Sequence, residues 1–242
     1  MKKNKYSKSP LNYIGGKYKM LPQIMKFFPK KIDTMVDLFA GGCDVCTNVS
    51  ANKIYANDIN YFVIDIYKTF QQMTIEDLLL YIDNTIKENN LSIMDKEAYN
   101  AFRKAYNDNN RRNPLDLYIL VCFAFNHQFR FNNSHEFNSP FGKDRSCFNQ
   151  NIRKNLIEFH KNIQDIEFST MNFKQFDVTK LKAGDFLYAD PPYLITTGSY
   201  NDGKRGFEGW NQKDDRILFD LLDQLDEQGV RFAFSNVSEH KG

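Results

Sequence analysis

The residues best suited to chemistry lie in the run Tyr188-Ala-Asp-Pro-Pro-Tyr193. It completes a short apolar stretch, Asp185-Phe-Leu-Tyr-Ala189, that reads as a buried strand. Two consecutive prolines, Pro191 and Pro192, stop such a strand and lock the backbone that follows into a rigid loop. In an α/β protein this loop lies at the carboxyl edge of the sheet, where ligands bind. Asp190 supplies a hydrogen-bond acceptor, the Asp190–Pro191 backbone carbonyl a second oxygen, and Tyr193 a flat surface. The set suits a planar exocyclic amine such as adenine N6. The lone pair of that amine is delocalised into the ring. Alkylating it therefore needs acceptors for its protons, an oxygen that favours a pyramidal nitrogen, and a surface that holds the ring in line with the donor.

A second constellation lies nearer the amino terminus. Thr34-Met-Val-Asp-Leu-Phe39 is a short apolar run that ends in Ala40-Gly41-Gly42, a strand entering a tight turn. A helix is expected over Val45–Asn52, and Lys53-Ile-Tyr-Ala-Asn57 forms a second strand ending on Asp58. A glycine turn lets a ligand approach the backbone, and an acid at the end of the next strand can accept from ribose hydroxyls. Dinucleotide dehydrogenases share this arrangement. Gly-Gly-Cys is not their full glycine fingerprint, however, no second fingerprint occurs, and His127, His135, His160 and His240 are scattered.

These loops need elements to position them. From about Tyr61 to Asn107 the apolar spacing is helical, with Leu78, Leu79, Ile82 and Ile86 on one stripe and Tyr99, Phe102 and Tyr106 on another. After the turn-rich break Asn109–Pro114, Leu115–Phe125 reads as an apolar helix. Residues Asn126–Asn151 are polar, aromatic and basic, with little periodicity, as in a functional loop region. Arg216–Gln228 is an amphipathic helix closed by Gly229, and Val230–Phe234 a further strand. The expected architecture is an α/β sheet unit made of residues 1–62 and 156–242, interrupted by a mostly helical insertion over 63–155.

Bulk composition is less telling. Across 242 residues, 32 basic side chains nearly balance 30 acidic ones, so any attraction for nucleic acid must be local. Arg130, Lys143, Arg145, Arg153 and Lys154 face only Glu136 and Asp144 within 130–154, and Lys2, Lys3, Lys5 and Lys8 have no acid among the first ten residues. Both stretches suit phosphate contact. The longest apolar run, Leu117–Phe125, has nine residues, whereas a bilayer-spanning helix needs roughly twenty. The lysines at the start lead into a turn and not an apolar segment, so a cytoplasmic location is expected. Cys43 and Cys46 form one C-x-x-C, but Cys122 and Cys147 lack the spacing of a second pair, and no metal is expected.

Five motifs in order, Ser9-Pro-Leu-Asn-Tyr-Ile-Gly-Gly-Lys17, Asp37-Leu-Phe-Ala-Gly-Gly42, Ala56-Asn-Asp-Ile-Asn60, Phe137-Asn-Ser-Pro-Phe-Gly142 and Tyr188–Tyr193, resemble the DNA adenine methylases of the Dam-like, D12 class. The resemblance implies a Rossmann-like, S-adenosylmethionine-dependent methyltransferase sheet with an inserted target-recognition domain. It implies methyl transfer to an adenine flipped out of double-stranded DNA, and leaves open a restriction-modification role, with a cognate endonuclease acting separately, against an orphan or phage role. Carried over by motif, Tyr13, Lys17, Phe39, Ala40, Gly41, Gly42, Asp58, Ile59, Asp177 and Asp190 would bind S-adenosylmethionine, with Asp177 contacting its adenine. Asp190, Pro191, Pro192 and Tyr193 would form the catalytic loop. Asn12, Asn126, Gln128, Arg130, Asn138, Pro140 and Lys143 would contact DNA, and a side chain near Asn126 would fill the gap left by the flipped base. Phe129, Phe131 and Phe137 either stack on bases or pack this region.

The sequence departs from the family in places. Cys43 stands where a glycine is usual, and Asn12 and Gln128 replace the lysine and apolar residue of members that read GATC. Relatives continue through further strands after the one at Val230–Phe234, whereas this sequence stops at Gly242, so either the chain is truncated or the last strands are missing. Methylation of cytosine N4 or RNA, and a non-catalytic DNA-binding module, are the competing readings; intact Tyr13, Lys17, Asp58 and Asp190 weigh against the last.

Overall fold

A computed structural model describes residues 6–110, 112–193 and 210–236. Of the basic amino-terminal side chains, Lys2, Lys3 and Lys5 lie outside the described residues. Five short strands form one parallel sheet: β1 (Thr34–Asp37), β2 (Lys53–Asn57), β3 (Ile166–Ser169), β4 (Phe186–Ala189) and β5 (Arg231–Phe234), in the order β3-β2-β1-β4-β5. Buried parallel strands read as continuous apolar runs, and every residue of β4 is buried. The chain moves outward from β1 through β2 to β3, then returns to the other side of β1 as β4. The order therefore reverses between β1 and β4, and ligands bind at the carboxyl ends of strands at such a switch point.

Helices cover both faces. On one side, the buried Leu218, Leu222 and Leu225 of α7 (Gln212–Glu227) pack with Val36, Leu187 and Ala189 of the sheet. On the other side lie α2 (Tyr61–Gln72), α3 (Ile75–Glu88), α4 (Lys96–Asp108), α5 (Pro114–Phe123) and α6 (Gln150–Ile163); a short α1 (Leu21–Ile24) precedes the sheet. The segment α5 is buried at Leu115 and from Leu117 to Phe123, as expected of a helix that is apolar all round. One apolar cluster runs from Ala56 and Ile166 of the sheet through α2 and α5 to Phe131 and Phe137. Phe129, Phe131 and Phe137 are buried packing residues, which settles the choice between stacking on bases and packing.

Three expectations are corrected. Val45–Asn52 is not a helix: only Cys46–Asn48 turn, as a single 3-10 helix, and Val49 is already extended. The Asn48 amide there bonds the carbonyls of Ser7 and Asp44, a side-chain alternative to helix propagation. Strand β3 and helix α6 had not been anticipated, and α6 runs through the expected boundary at 155–156. Finally, α7 begins at Gln212, earlier than Arg216, because Asn211 and Asp214 close a capping box.

Candidate active site

The carboxyl ends of β1, β2, β3 and β4 enclose a cavity of about 540 Å³, a size usual for small-molecule sites. Tyr13 and Lys17 line it from the amino-terminal segment, Phe39–Gly42 from the turn after β1, and Asn57–Asn60 from the end of β2. Met171–Lys174 contribute after β3, Asp190 and Pro192 after β4, and Trp210, Asn211 and Asp214 at the start of α7.

Asp190 follows directly on β4. Its carboxylate is ion-paired with Lys17 and accepts a hydrogen bond of 2.7 Å from the Tyr193 hydroxyl. The Lys17 ammonium also bonds the Gly15 carbonyl at 2.9 Å and lies 5.5 Å from the centre of the Tyr193 ring. Burial pushes the Asp190 carboxyl above the usual carboxylate range, while Lys17 and Tyr193 pull it back. Pro191 is buried and Pro192 half-buried.

The glycine turn is built for close approach. Gly41 has φ +46°, and a Cβ there would come within 3.0 Å of the Tyr13 ring. The Asp58 carboxylate accepts from the Gly41 amide at 2.7 Å and from the Asn60 amide at 2.8 Å, which ties β2 to the turn. Asn60 in turn donates to the Tyr13 hydroxyl at 3.2 Å. Cys43 keeps the left-handed backbone that a glycine would adopt, with φ +57°; such a conformation costs about 1–3 kcal/mol. Bonds to the Cys43 carbonyl from the Thr47 amide and hydroxyl, and from the Cys43 amide to the Ala40 carbonyl, hold it there.

An aromatic wall stands opposite. The rings of Phe39 and Phe173 are 5.4 Å apart and that of Trp210 is 5.7 Å from Phe39. Lys174 and Asp214 form an ion pair of 2.5 Å beside them. Asn57 anchors this wall: its amide donates to the carbonyls of Leu38 and Met171 and accepts from the Ser169 hydroxyl and the Met171 amide. Asp177 is not brought to the cavity. It caps the 3-10 helix Val178–Lys180 and pairs with Lys180 at 3.4 Å, and Met171–Lys174 occupy the wall instead. Sequence reasoning had passed over Asn57 and Asn60, although both stand in the quoted Ala56–Asn60 motif. It also passed over Asp37, at the head of Asp37–Gly42, and Trp210, the single tryptophan of the chain.

The cavity fits S-adenosylmethionine. It offers a wall of three mutually tilted aromatic rings for a purine, a glycine turn covered on one side by the Tyr13 ring, and a buried carboxylate oxygen, Asp37 Oδ1, that has no hydrogen-bond partner.

Several residues expected at DNA are joined beside this cavity. The Asn12 amide donates to the Asn126 carbonyl at 2.9 Å, the Asn138 amide to the Arg130 carbonyl at 2.9 Å, and the Phe125 amide to the Pro140 carbonyl at 2.7 Å. Asn126 and His127 are both left-handed, with φ 54° and 53°. Asn12, Asn126, Arg130, Pro140 and Lys143 are exposed, and Gln128 and Asn138 half-buried. Phe125, next to Asn126, is 38% exposed. Helix α4 supports the segment from beneath: Tyr99 donates to the Ser139 carbonyl, and Asn107 bonds both the carbonyl and the amide of Phe137. At Gly142 a Cβ would meet the Ala124 carbonyl at 2.8 Å, so only glycine fits the end of Phe137–Gly142.

A parallel sheet with helices on both faces and a cavity at its switch point defines a Rossmann-like α/β fold. The profile of the D12 class N6 adenine-specific DNA methyltransferases matches residues 13–241, and the chain belongs to that family. It is 49% identical, over its whole length, to the Type II methyltransferase M.FokI of Planomicrobium okeanokoites, of which it covers 37%. It is 52% identical over 98% of its length to the modification methylase StsI of Streptococcus sanguinis, covering 36% of that protein. A more distant relative is the DNA adenine methylase of Escherichia coli K12, 26% identical over 98% of this chain and 82% of the relative. The chain thus spans little more than a third of M.FokI and StsI. Among the described residues, no helix is long and apolar enough to cross a membrane, and no group of three His, Cys, Asp or Glu side chains could hold a metal ion.

Proposed function

We propose that this chain transfers a methyl group from S-adenosylmethionine to the N6 amine of an adenine flipped out of double-stranded DNA. The observation that carries the reading is Asp190: a half-buried carboxylate on the Pro-Pro loop at the end of β4, lining the cavity and paired with Lys17. The bound cofactor supplies an electrophilic methyl group on sulfur. Asp190 accepts a hydrogen bond from the adenine amine, drawing electron density toward its nitrogen, and the Asp190–Pro191 carbonyl favours the pyramidal form. Tyr193 stacks on the base, and the two prolines hold these groups in line. Phe39, Ala40, Gly41, Gly42 and Ile59 enclose the cofactor, Tyr13 and Lys17 close it from the amino-terminal side, and Asp58 takes the ribose hydroxyls.

Residues 63–155 supply target recognition in this reading. Arg130 reads a base through paired hydrogen bonds, Lys143 neutralises phosphate, and Asn12, Asn126, Gln128, Asn138 and Pro140 line the duplex. The exposed Phe125 beside Asn126 fills the space vacated by the flipped base. Relatives named as a Type II methyltransferase and a modification methylase support a role in a restriction-modification system, in which methylation protects the host from a separate endonuclease. The test is transfer of tritiated methyl groups to duplex DNA of varied sequence, followed by nucleoside analysis. N6-methyladenine is expected; label in cytosine alone, or in no nucleoside, would refute the assignment.

A further inference from the structure

Arg112 is half-buried in the turn-rich break before α5, a stretch with no part in the cavity or in the expected DNA contacts. Its neighbour Asn113 caps α5 by accepting from the Leu115 amide at 2.9 Å and donates to the Tyr81 hydroxyl at 2.7 Å. Because α5 itself is buried, Arg112 is mounted on a rigid base. Its guanidinium donates to the His135 carbonyl and, at 3.4 Å, to the Asn107 carbonyl, and it lies 5.7 Å from the centre of the Tyr106 ring. His135 belongs to the turn of a hairpin built around the antiparallel bridge Phe131–Phe137. Two bonds of 2.9 Å cross this hairpin, from the Asn138 amide to the Arg130 carbonyl and from the Asn132 amide to the Glu136 carbonyl. Phe131 and Phe137 are buried on its inner face, with Phe131 stacked on Phe62 at 4.2 Å. Side chains alternate along extended strands, which leaves the exposed Arg130 on the opposite face.

We propose that Arg112 is a positioning residue for base recognition: by tying the hairpin turn to the start of α5, it fixes the angle at which Arg130 meets its base pair. This rests on the recognition role given to Arg130 in the proposed function. A two-stranded hairpin is marginal by itself, so its direction is set by what holds it from outside. Asn107 holds it at Phe137, through both the amide and the carbonyl, and Arg112 holds the turn. Hydrogen bonds from a charged donor are about twice as strong as neutral ones, and the planar fork of arginine serves two carbonyls at once, which a single ammonium does less well. A second cavity, of about 380 Å³, lies beside the guanidinium, lined also by Tyr61, Phe62, Tyr106, Asn107 and Leu117. A shorter side chain at 112 therefore leaves open space, and the turn loses its tie to α5. Reading a base through paired bonds depends on direction, whereas phosphate contact depends on it much less. Loosening the turn should thus cost discrimination more than overall affinity.

Methylation of a duplex library randomised around one adenine, read by sequencing, finds the base pair at which Arg130→Ala relaxes preference. At that pair, Arg112→Ala should lower the ratio of kcat/KM for the preferred over the changed duplex by about three- to tenfold, with kcat on the preferred duplex kept within about twofold. A ratio of two rates cancels any loss of folded protein. Arg112→Lys, which keeps a donor for the His135 carbonyl, should recover part of the ratio. Lys104→Ala removes the exposed ion pair with Asp108 from α4 and should leave the ratio as in wild type. In an Arg130→Ala background, Arg112→Ala should change it no further. An unchanged ratio in Arg112→Ala, a fall no larger than that in Lys104→Ala, or a full further fall in the Arg130→Ala background would overturn the role of Arg112 and leave Arg130 as the reader. No relaxation at any base pair in Arg130→Ala would overturn both.

Discussion

Lys17 and Asp190 form an ion pair inside the cavity, joining the Gly-Gly-Lys segment to the Asp-Pro-Pro-Tyr loop. The Asp190 carboxyl is raised by burial and lowered by Lys17. If methyl transfer needs ionised Asp190, activity is lost as pH falls through its pKa. Lys17→Met removes the lowering influence, so this acid limb should move to higher pH, with kcat reduced at least tenfold at neutral pH. A pH–kcat profile of both proteins decides it; coincident acid limbs would separate Lys17 from Asp190.

Asp190→Ala is expected to abolish transfer, by a factor on the order of 10²–10³ or more, as when a key polar group at a reacting centre is removed. Cofactor binding should survive, perceptibly weakened. Rapid-quench methyl transfer alongside equilibrium binding makes the comparison. Unchanged activity would remove Asp190 from catalysis.

Asn57 links the ends of β1, β2 and β3 through four hydrogen bonds. At a net value of about 1 kcal/mol for each bond, Asn57→Ala should lower stability by about 2–4 kcal/mol. Because the Met171–Phe173 wall loosens, KM for the cofactor should rise more than kcat falls. Urea denaturation and steady-state kinetics measure the two effects.

Stability should depend on pH through Asp37. Its folded-state pKa of about 7 lies above the unfolded value, so the protonated folded form is favoured at low pH. That advantage is lost as pH rises through about 7, at up to about 1.4 kcal/mol for each pH unit. Asp37→Asn carries no such charge. It should match wild type near pH 3–4, become progressively more stable than wild type up to about pH 7, and keep a constant lead above that. Denaturation midpoints across this range, without cofactor, are the measurement; parallel curves would contradict it.

On the DNA side, Arg130→Ala should cost about 1–3 kcal/mol for the preferred sequence and relax discrimination at one base pair. Lys143→Ala should weaken binding equally on all sequences and lower the slope of log affinity against log salt by about 1. Fluorescence anisotropy at several salt concentrations distinguishes the two.

By itself the sequence determined β1, β2, β4 and β5 and the turns that end β1 and β4, because prolines, glycines and strand length act locally, whereas β3 went unread. Asp190 after its strand, Gly41 and Gly42 after theirs, and Asp58 after the next were all legible, and they converge on one cavity. The helix expected over Val45–Asn52 was lost because the Asn48 side chain competes for backbone carbonyls across the turn. Tertiary structure alone decided the rest. Strand order places Asp37 beside β4 and so near Asp190, which turns an ordinary motif acid into a buried carboxylate with one open oxygen. Asp177 had a plausible position along the chain but lies outside the cavity, while Phe173 and Trp210, distant in sequence, meet Phe39 across it. Burial and charge proximity depend on which strands become neighbours, and that is a property of long-range packing that no local pattern carries.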